Sequence, residues 1–396
     1  MRSRSRFLNA VRSAPPALVG VVFLLAFAYR GLLSPRWGTD TGWYASIATE
    51  VYRSGAFWTL RVGPELYFNK PPLAFWIHGA FLQLMGTGLF AMRLPSVLMA
   101  AGCVWATAAV AGRLAGPRAA LWSAVALGAT AEFARMTDRI LLDYPLTLCM
   151  LLTVLGVVVA ERRSRAAPET PAEAGSRPRT GAVSAPMLWA GVAAGLGLLT
   201  KPFLALAAFP VLALWLLLVG RGRLLAPLAG ACAVAVLIAA PWHASMILRH
   251  GAAFTETYFG NQVVERAIDG LNHAEPWWWY LERLGKRYWP WLPVAAAPLV
   301  AWAAAPRAFA ARYRRRMPED PRLGLLLLGA LFTLGWLAAL GVFTDKRENY
   351  LLMVFPSLAW MAAAGAIAAP PRAAGRRRVR AIERALPVLA PLLLAG

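Results

Sequence analysis

The stretch that decides the fold is Gly38 to Trp76, GTDTGWYASIATEVYRSGAFWTLRVGPELYFNKPPLAFW, which follows an apolar run but is too polar to be membrane hydrocarbon itself. It opens on a carboxylate, Asp40, and closes on Tyr67-Phe68-Asn69-Lys70-Pro71-Pro72, where a cation is fixed beside a stiff double proline. Between these ends Tyr44, Ile47, Ala48, Val51 and Tyr52 recur at helical spacing, with Thr39 or Asp40 able to cap the start and Gly55 able to end it. The pattern predicts an amphipathic helix lying on a membrane surface.

The composition around this stretch fixes the class. Of 396 residues 59% are hydrophobic and only 15% charged, too apolar for a soluble domain of this length, so the chain reads as an all-α polytopic membrane protein. A net charge of +22 would point a soluble chain toward nucleic acid, but here arginines fill the gaps between apolar runs. Runs of about 20 residues fall near 14–34, 90–112, 118–135, 140–160, 186–199, 203–219, 225–246, 289–311, 323–343 and 349–369, and an eleventh begins near Ala385. Alternate gaps carry Arg2/Arg4/Arg6/Arg12, Arg113/Arg118, Arg162 to Arg179, Arg221/Arg223, Arg312 to Arg316 and Arg372 to Arg380, all cytoplasmic by the positive-inside rule. That alternation holds only if the apolar segment Pro71–Gly86 does not cross, which makes it a second surface helix started by Pro71-Pro72. The organisation expected is one transmembrane domain over 1–396, with an outer catalytic loop at 38–86, an Arg/Pro/Ala-rich cytoplasmic linker at 161–185 and an outer loop at 243–288. The last apolar run is too short to span, so a missing C-terminal part is expected. Cys103, Cys149 and Cys232 lie inside apolar spans without metal-ligand spacing, and His243 and His273 have no partner at such spacing either.

This topology gathers the chemistry on one face. All four lysines, Lys70, Lys201, Lys286 and Lys346, land outside, against the insertion bias. A lysine held at a membrane boundary calls for an anionic partner, and its ammonium is a compact charge for phosphate. For Lys286, snorkelling to headgroups fits as well. Asp143, in the apolar run Ile140-Leu141-Leu142-Asp143-Tyr144-Pro145, is expensive to bury. It is read as working in a cavity, the alternative being a structural pair with Arg139 or Arg135. Trp277-Trp278-Trp279-Tyr280, with Trp289 and Trp291, reads as an interfacial aromatic belt.

The ordered set Asp40, Tyr44 to Glu50, Tyr67-Phe68-x-Lys70-Pro71-Pro72, Leu142-Asp143-Tyr144-Pro145, Leu199-Thr200-Lys201-Pro202-Phe203, Ala240-Pro241-Trp242 and Lys346-Arg347-x-x-Tyr350 resembles the bacterial protein-mannosyltransferase-like family, which includes the lipid A aminoarabinose transferases. The resemblance covers roughly residues 20 to 365. It implies a C-type glycosyltransferase fold with amphipathic surface helices roofing an outer cavity, a polyprenyl-phosphate (undecaprenyl-phosphate) sugar donor, a lipid, glycan or protein acceptor, and an active site on the outer face of the bacterial inner membrane. Matched by motif, Asp40 and Asp143 correspond to the family's catalytic carboxylates, Lys70 and Lys201 to residues near the lipid phosphate, and Tyr67 and Tyr350 to the lipid groove; Lys346 is added as a substrate-binding residue. The chain departs from the aminoarabinose transferases where Asn69 and Val263 stand in place of a Glu and a His that ligate metal. No cofactor is therefore required by the residues, and a divalent metal would lack those ligands. A lipid-linked glycan transporter is the alternative reading. It would call for midplane ionisable groups and paired repeats, whereas here polar groups collect at one end and no repeat is visible.

Overall fold

The computed structural model describes residues 16–34, 39–166, 184–201, 203–265, 275–289, 291–307, 320–344 and 346–368. The arginine clusters before 13, at 312–316 and after 371, most of the 161–185 linker, His273, Asp345 and the run from Ala385 lie outside them.

The described residues are helical almost throughout. In order come α1 (Pro16–Leu33), α2 (Thr39–Ser54), a hairpin of β1 (Arg61–Val62) and β2 (Glu65–Leu66), α3 (Leu73–Met85), α4 (Leu89–Ala115), α5 (Pro117–Gly128), α6 (Ala131–Arg135) and α7 (Asp143–Ala166). Then follow α8 (Ala185–Leu198), α9 (Ala208–Leu218), α10 (Leu225–Thr255), α11 (Trp279–Arg287), α12 (Trp291–Ala304), α13 (Pro321–Val342) and α14 (Phe355–Ala368). Among the described residues four helices, α4, α7, α10 with its flanks and α13, are long and apolar enough to cross a membrane by themselves. Helix starts are legible in sequence: Pro117 opens the shorter α5, and Asp320 accepts a hydrogen bond from the Arg322 N–H at 3.0 Å ahead of Pro321 at the start of α13.

The bundle is held by a contiguous apolar core and by backbone-close contacts at small residues. A Cβ at Gly191 on α8 would lie 2.5 Å from the Ala231 carbonyl of α10, and one at Gly156 on α7 would lie 2.6 Å from the Pro186 carbonyl of α8. Side chains of zero volume are what let these three helices touch. Trp360 on α14 donates to the Thr107 carbonyl of α4 at 3.0 Å, so its one polar atom is satisfied inside the core.

The segment 38–86 folds with the two helices read from sequence, and the apolar face of the first meets protein. Ile47, Ala48 and Val51 of α2 are buried against α3 and the bundle, in clusters with Phe75, Leu82, Ala91 and Leu142, not against lipid. Burying such side chains stabilises the docked roof by about 1.5–3 kcal/mol each, more than a transient stay at a headgroup interface offers. The exposed aromatics of this region are instead Trp43, Tyr52, Phe57 and Trp58. Between the helices lies the short hairpin, turning at Gly63 with φ 58°. It escaped the sequence reading because two-residue strands leave no alternation to detect.

A second correction concerns the loop expected at 243–288. The helix runs on through Pro241 to Thr255, kinked at Gly251 (φ 51°, ψ −127°), and continues as a π-helical stretch over Glu256–Glu265. The span expected over 225–246 already included Pro241, and the helix continues beyond it to Thr255 with that proline in its interior.

The charges lie at opposite ends of the bundle. Asp143 starts α7, and Glu161, fully buried near its other end, pairs with Arg165 and with Arg221 at 3.4 Å. At about 1.5 Å per residue the two carboxylates sit some 27 Å apart along the axis.

Candidate functional site

Asp143 is the first residue of α7, where the positive end of the helix favours a carboxylate. It is 1% exposed, and its partners come from distant parts of the chain: Lys201 Nζ donates to Oδ1 at 2.5 Å and Asn349 Nδ2 donates to Oδ2 at 2.6 Å. Neither Arg135 nor Arg139 fills this role. Arg135 binds Glu132 in a fork at 2.9 and 2.6 Å, and Arg139 lies 3.8 Å from Asp138. The alternative of a structural pair with a neighbouring arginine is thus not the one realised, since both guanidiniums meet other carboxylates.

Lys201, 6% exposed, is presented by the turn after α8, in which Thr200 Oγ1 donates to the Gly197 carbonyl at 2.6 Å. Two residues on, Phe203 has φ 54°, the only positive φ at a residue other than glycine among the described residues. Such a conformation costs of order 1–3 kcal/mol; the Phe203 ring packs on Phe259 at 5.9 Å. The Lys201 ammonium lies 4.5 Å from the centre of the Tyr350 ring, a cation–π contact. Tyr350 and Asn349 both sit on the 3-10 turn Glu348–Met353.

Lys70 reaches the same region through the backbone. The Leu73 N–H, just past Lys70-Pro71-Pro72, donates to the Leu199 carbonyl at 2.9 Å, stitching the lysine-bearing end of the roof to the Lys201 turn. Lys70 is 8% exposed, and Tyr67 packs edge-on against Phe75 at 5.9 Å in the cluster that also buries Leu142, the neighbour of Asp143. Asp40 occupies the second position of α2; its side chain lies outside the described residues.

The remaining lysines go elsewhere. Lys346 is buried, but its ammonium donates to the Leu340 carbonyl at 3.3 Å, to the Gly341 carbonyl at 3.1 Å and to the Phe343 carbonyl, so its three donors close the C-terminal end of α13. Burial lowers its pKa. The lysine expected among the substrate-binding groups thus caps α13 in this structure. Lys286 forms an exposed i,i+4 pair with Glu282 at 2.6 Å. The aromatic belt divides: Trp277 and Trp278 are exposed, whereas Trp279 and Tyr280 are buried.

Two residues of this region were not singled out from sequence. Asn349 falls on an unspecified position of its motif, and Glu132, buried to 3% exposure, sits among Ala131, Phe133 and Ala134 much as Asp143 sits in its own apolar run. The signal that exposes Asp143 would have exposed Glu132 too. Among the described residues no three His, Cys, Asp or Glu side chains converge as a metal site.

Taken together, a roofed bundle carries a desolvated carboxylate–ammonium pair at one end, beside a lysine anchored by a double proline. The same arrangement of helices is found in ArnT from Cupriavidus metallidurans bound to undecaprenyl phosphate, with a TM-score of 0.65 and 23% identity over 91% of this chain and 61% of that one. This is the C-type glycosyltransferase fold. It is shared with the Archaeoglobus fulgidus oligosaccharyltransferase, at TM-score 0.60 and 12% identity over 96% of this chain and 55% of that one. Residues 69–167 of this C-type chain match the dolichyl-phosphate-mannose-protein mannosyltransferase family. The chain is also 29% identical, over 86% of its length, to an undecaprenyl phosphate-alpha-4-amino-4-deoxy-L-arabinose arabinosyl transferase of Pseudomonas fluorescens, and 28% identical over 82% to its counterpart in Edwardsiella ictaluri. It spans about half the length of these curated relatives, 55% and 54% respectively.

Proposed function

We propose that this protein is a membrane glycosyltransferase that moves a sugar from a polyprenyl-phosphate donor to a lipid, glycan or protein acceptor on the outer face of the bacterial inner membrane. The observation that carries the reading is the Asp143–Lys201 pair, buried under the roof yet set among groups that recognise anions and aromatic surfaces, with the Lys70 turn bonded to the Lys201 turn.

The chemistry follows from what each group can do. An acceptor hydroxyl attacks the anomeric carbon, the bond from that carbon to the phosphate oxygen breaks, and the electron pair leaves with the lipid phosphate. Negative charge therefore grows on that oxygen. Two preorganised ammoniums in a poorly hydrated site, Lys70 and Lys201, lower the barrier by meeting it. Asp143 holds Lys201 in place before the donor arrives. Asp40, at the start of α2, takes the acceptor's proton. Tyr67 and Tyr350 line the path of the lipid chain. The donor set fits a metal poorly, since Asn69 offers no carboxylate and Val263 no imidazole, so no step is routed through one.

The test is transfer by purified protein from a polyprenyl-phosphate sugar. Lys70→Met, which keeps length and removes charge, should lower turnover by about 10²-fold. Asp40→Asn should be stable and inactive, because Asn caps a helix as well as Asp does. Normal turnover by both variants would sink the assignment.

A further inference from the structure

Behind the Asp143–Lys201 pair lies a second ionic assembly with no part in the mechanism above. Glu348 receives Arg287 at 3.2 Å on each carboxylate oxygen and Arg283 at 3.3 Å, with Arg135 at 3.8 Å. Arg135 and Arg287, the latter at 3.7 Å, also hold buried Glu132. Arg283 and Arg287 belong to α11, and the same helix supplies Tyr280, whose hydroxyl accepts the Arg347 N–H at 3.1 Å. The run Arg347 to Tyr350 thus has two attachments. Arg347 and Glu348 fasten it to α11 and α6, while Asn349 and Tyr350 reach Asp143 and Lys201.

We propose that Glu348 is a positioning residue, which through its arginine lattice fixes Asn349 and Tyr350 against Asp143 and Lys201. The proposal rests on the transferase reading for its kinetic arm only. A carboxylate shared by two or three guanidiniums is a geometrically rigid anchor, and Glu348 is joined to Asn349 by a single peptide bond. Releasing it frees the turn that sets both the hydrogen bond on Asp143 and the aromatic face under Lys201.

The experiment is a double-mutant cycle with Glu348→Gln and Asn349→Ala on the full chain in detergent. Lys201 labelling by an amine-reactive reagent is read by mass spectrometry, exposed Lys286 serves as the internal standard, and sugar transfer is measured in parallel. Each single variant should raise Lys201 labelling at least threefold, and the double should label no more than either. Each should also lower kcat about tenfold while leaving donor KM within twofold, because a misplaced catalytic group costs turnover before it costs binding. Unchanged labelling in Glu348→Gln, or labelling effects that multiply in the double, would overturn the proposal, since independent sites add in free energy. A fall in melting temperature with kcat retained would do the same, leaving Glu348 a purely structural anchor. If labelling responds as expected but the wild type transfers no sugar, the transferase reading fails and the positioning role stands. Should Glu348→Gln not accumulate as folded protein, Arg283→Gln, which removes one guanidinium and leaves the carboxylate paired, carries the same cycle.

Discussion

Replacing Asp143 by Asn removes one charge of the buried pair and almost no volume. Lys201 is then left 6% exposed against the Tyr350 ring, its counter-charge gone. Two unit charges about 4 Å apart at an effective dielectric near 20 interact by about 4 kcal/mol, and breaking one side of a buried pair costs about 3–5 kcal/mol. The Asn349 amide can still donate to the new side-chain carbonyl, so the loss is one of charge rather than of hydrogen bonding. Asp143→Asn and Lys201→Met should each destabilise by about 3 kcal/mol or more. The double variant, with no charge left to strand, should lie within about 1–2 kcal/mol of wild type, because buried pairs exchanged for neutral groups are often near break-even. Unfolding in mixed micelles, followed by tryptophan fluorescence for the wild type, both singles and the double, measures the interaction energy. A value below about 1 kcal/mol, the range of solvent-exposed pairs, would show that the pair is hydrated and that the site is not the desolvated one argued for here.

Other consequences are simpler to read. Gly191→Ala puts a methyl 2.5 Å from a backbone carbonyl and should destabilise by about 1–3 kcal/mol through separation of α8 from α10, visible as a lowered melting temperature. His78, in the roof helix α3, has its pKa lowered to about 4 by burial, with Nδ1–H donating to the Met92 carbonyl at 2.9 Å. The unfolded chain binds the proton near pH 6.5, so this contribution is complete above that pH and is lost as pH falls toward 4. The loss is about 3 kcal/mol, and the slope should flatten in His78→Phe. Cysteines placed at positions 64 and 170 should react oppositely with an impermeant thiol reagent in intact cells, and equal labelling would refute the orientation.

Much of this was legible in the chain. The helical membrane class, four of the long apolar helices, the two roof helices and the Asp143 and Lys201 turns follow from hydrophobic runs, prolines and charges that are costly where they stand. What escaped was partnership. Asp143 is 58 residues from Lys201 and 206 from Asn349, and nothing in local patterning says which distant polar group will meet it. The same limit explains Lys346: a lysine after a span reads as a ligand group, and only the path of the chain after α13 turns it back onto that helix's own carbonyls. The α2 face was read as lipid-facing because amphipathicity reports an apolar partner without saying whether that partner is lipid or protein.

The helix α7 carries Asp143 at one end and the Glu161–Arg165–Arg221 group near the other, both locked into the bundle. A helix does not stretch, so the height of the reacting groups above the opposite boundary is set by residue count at about 27 Å. Lipids much longer or shorter than this have to be met by tilting the whole bundle, at fractions of a kcal/mol per Å. Tilt carries the roof with it, lifting the Asp143 end toward or away from the headgroup plane in which a lipid-borne phosphate travels. Acyl-chain length is in this sense a setting of the Asp143 site, read out through a rigid rod.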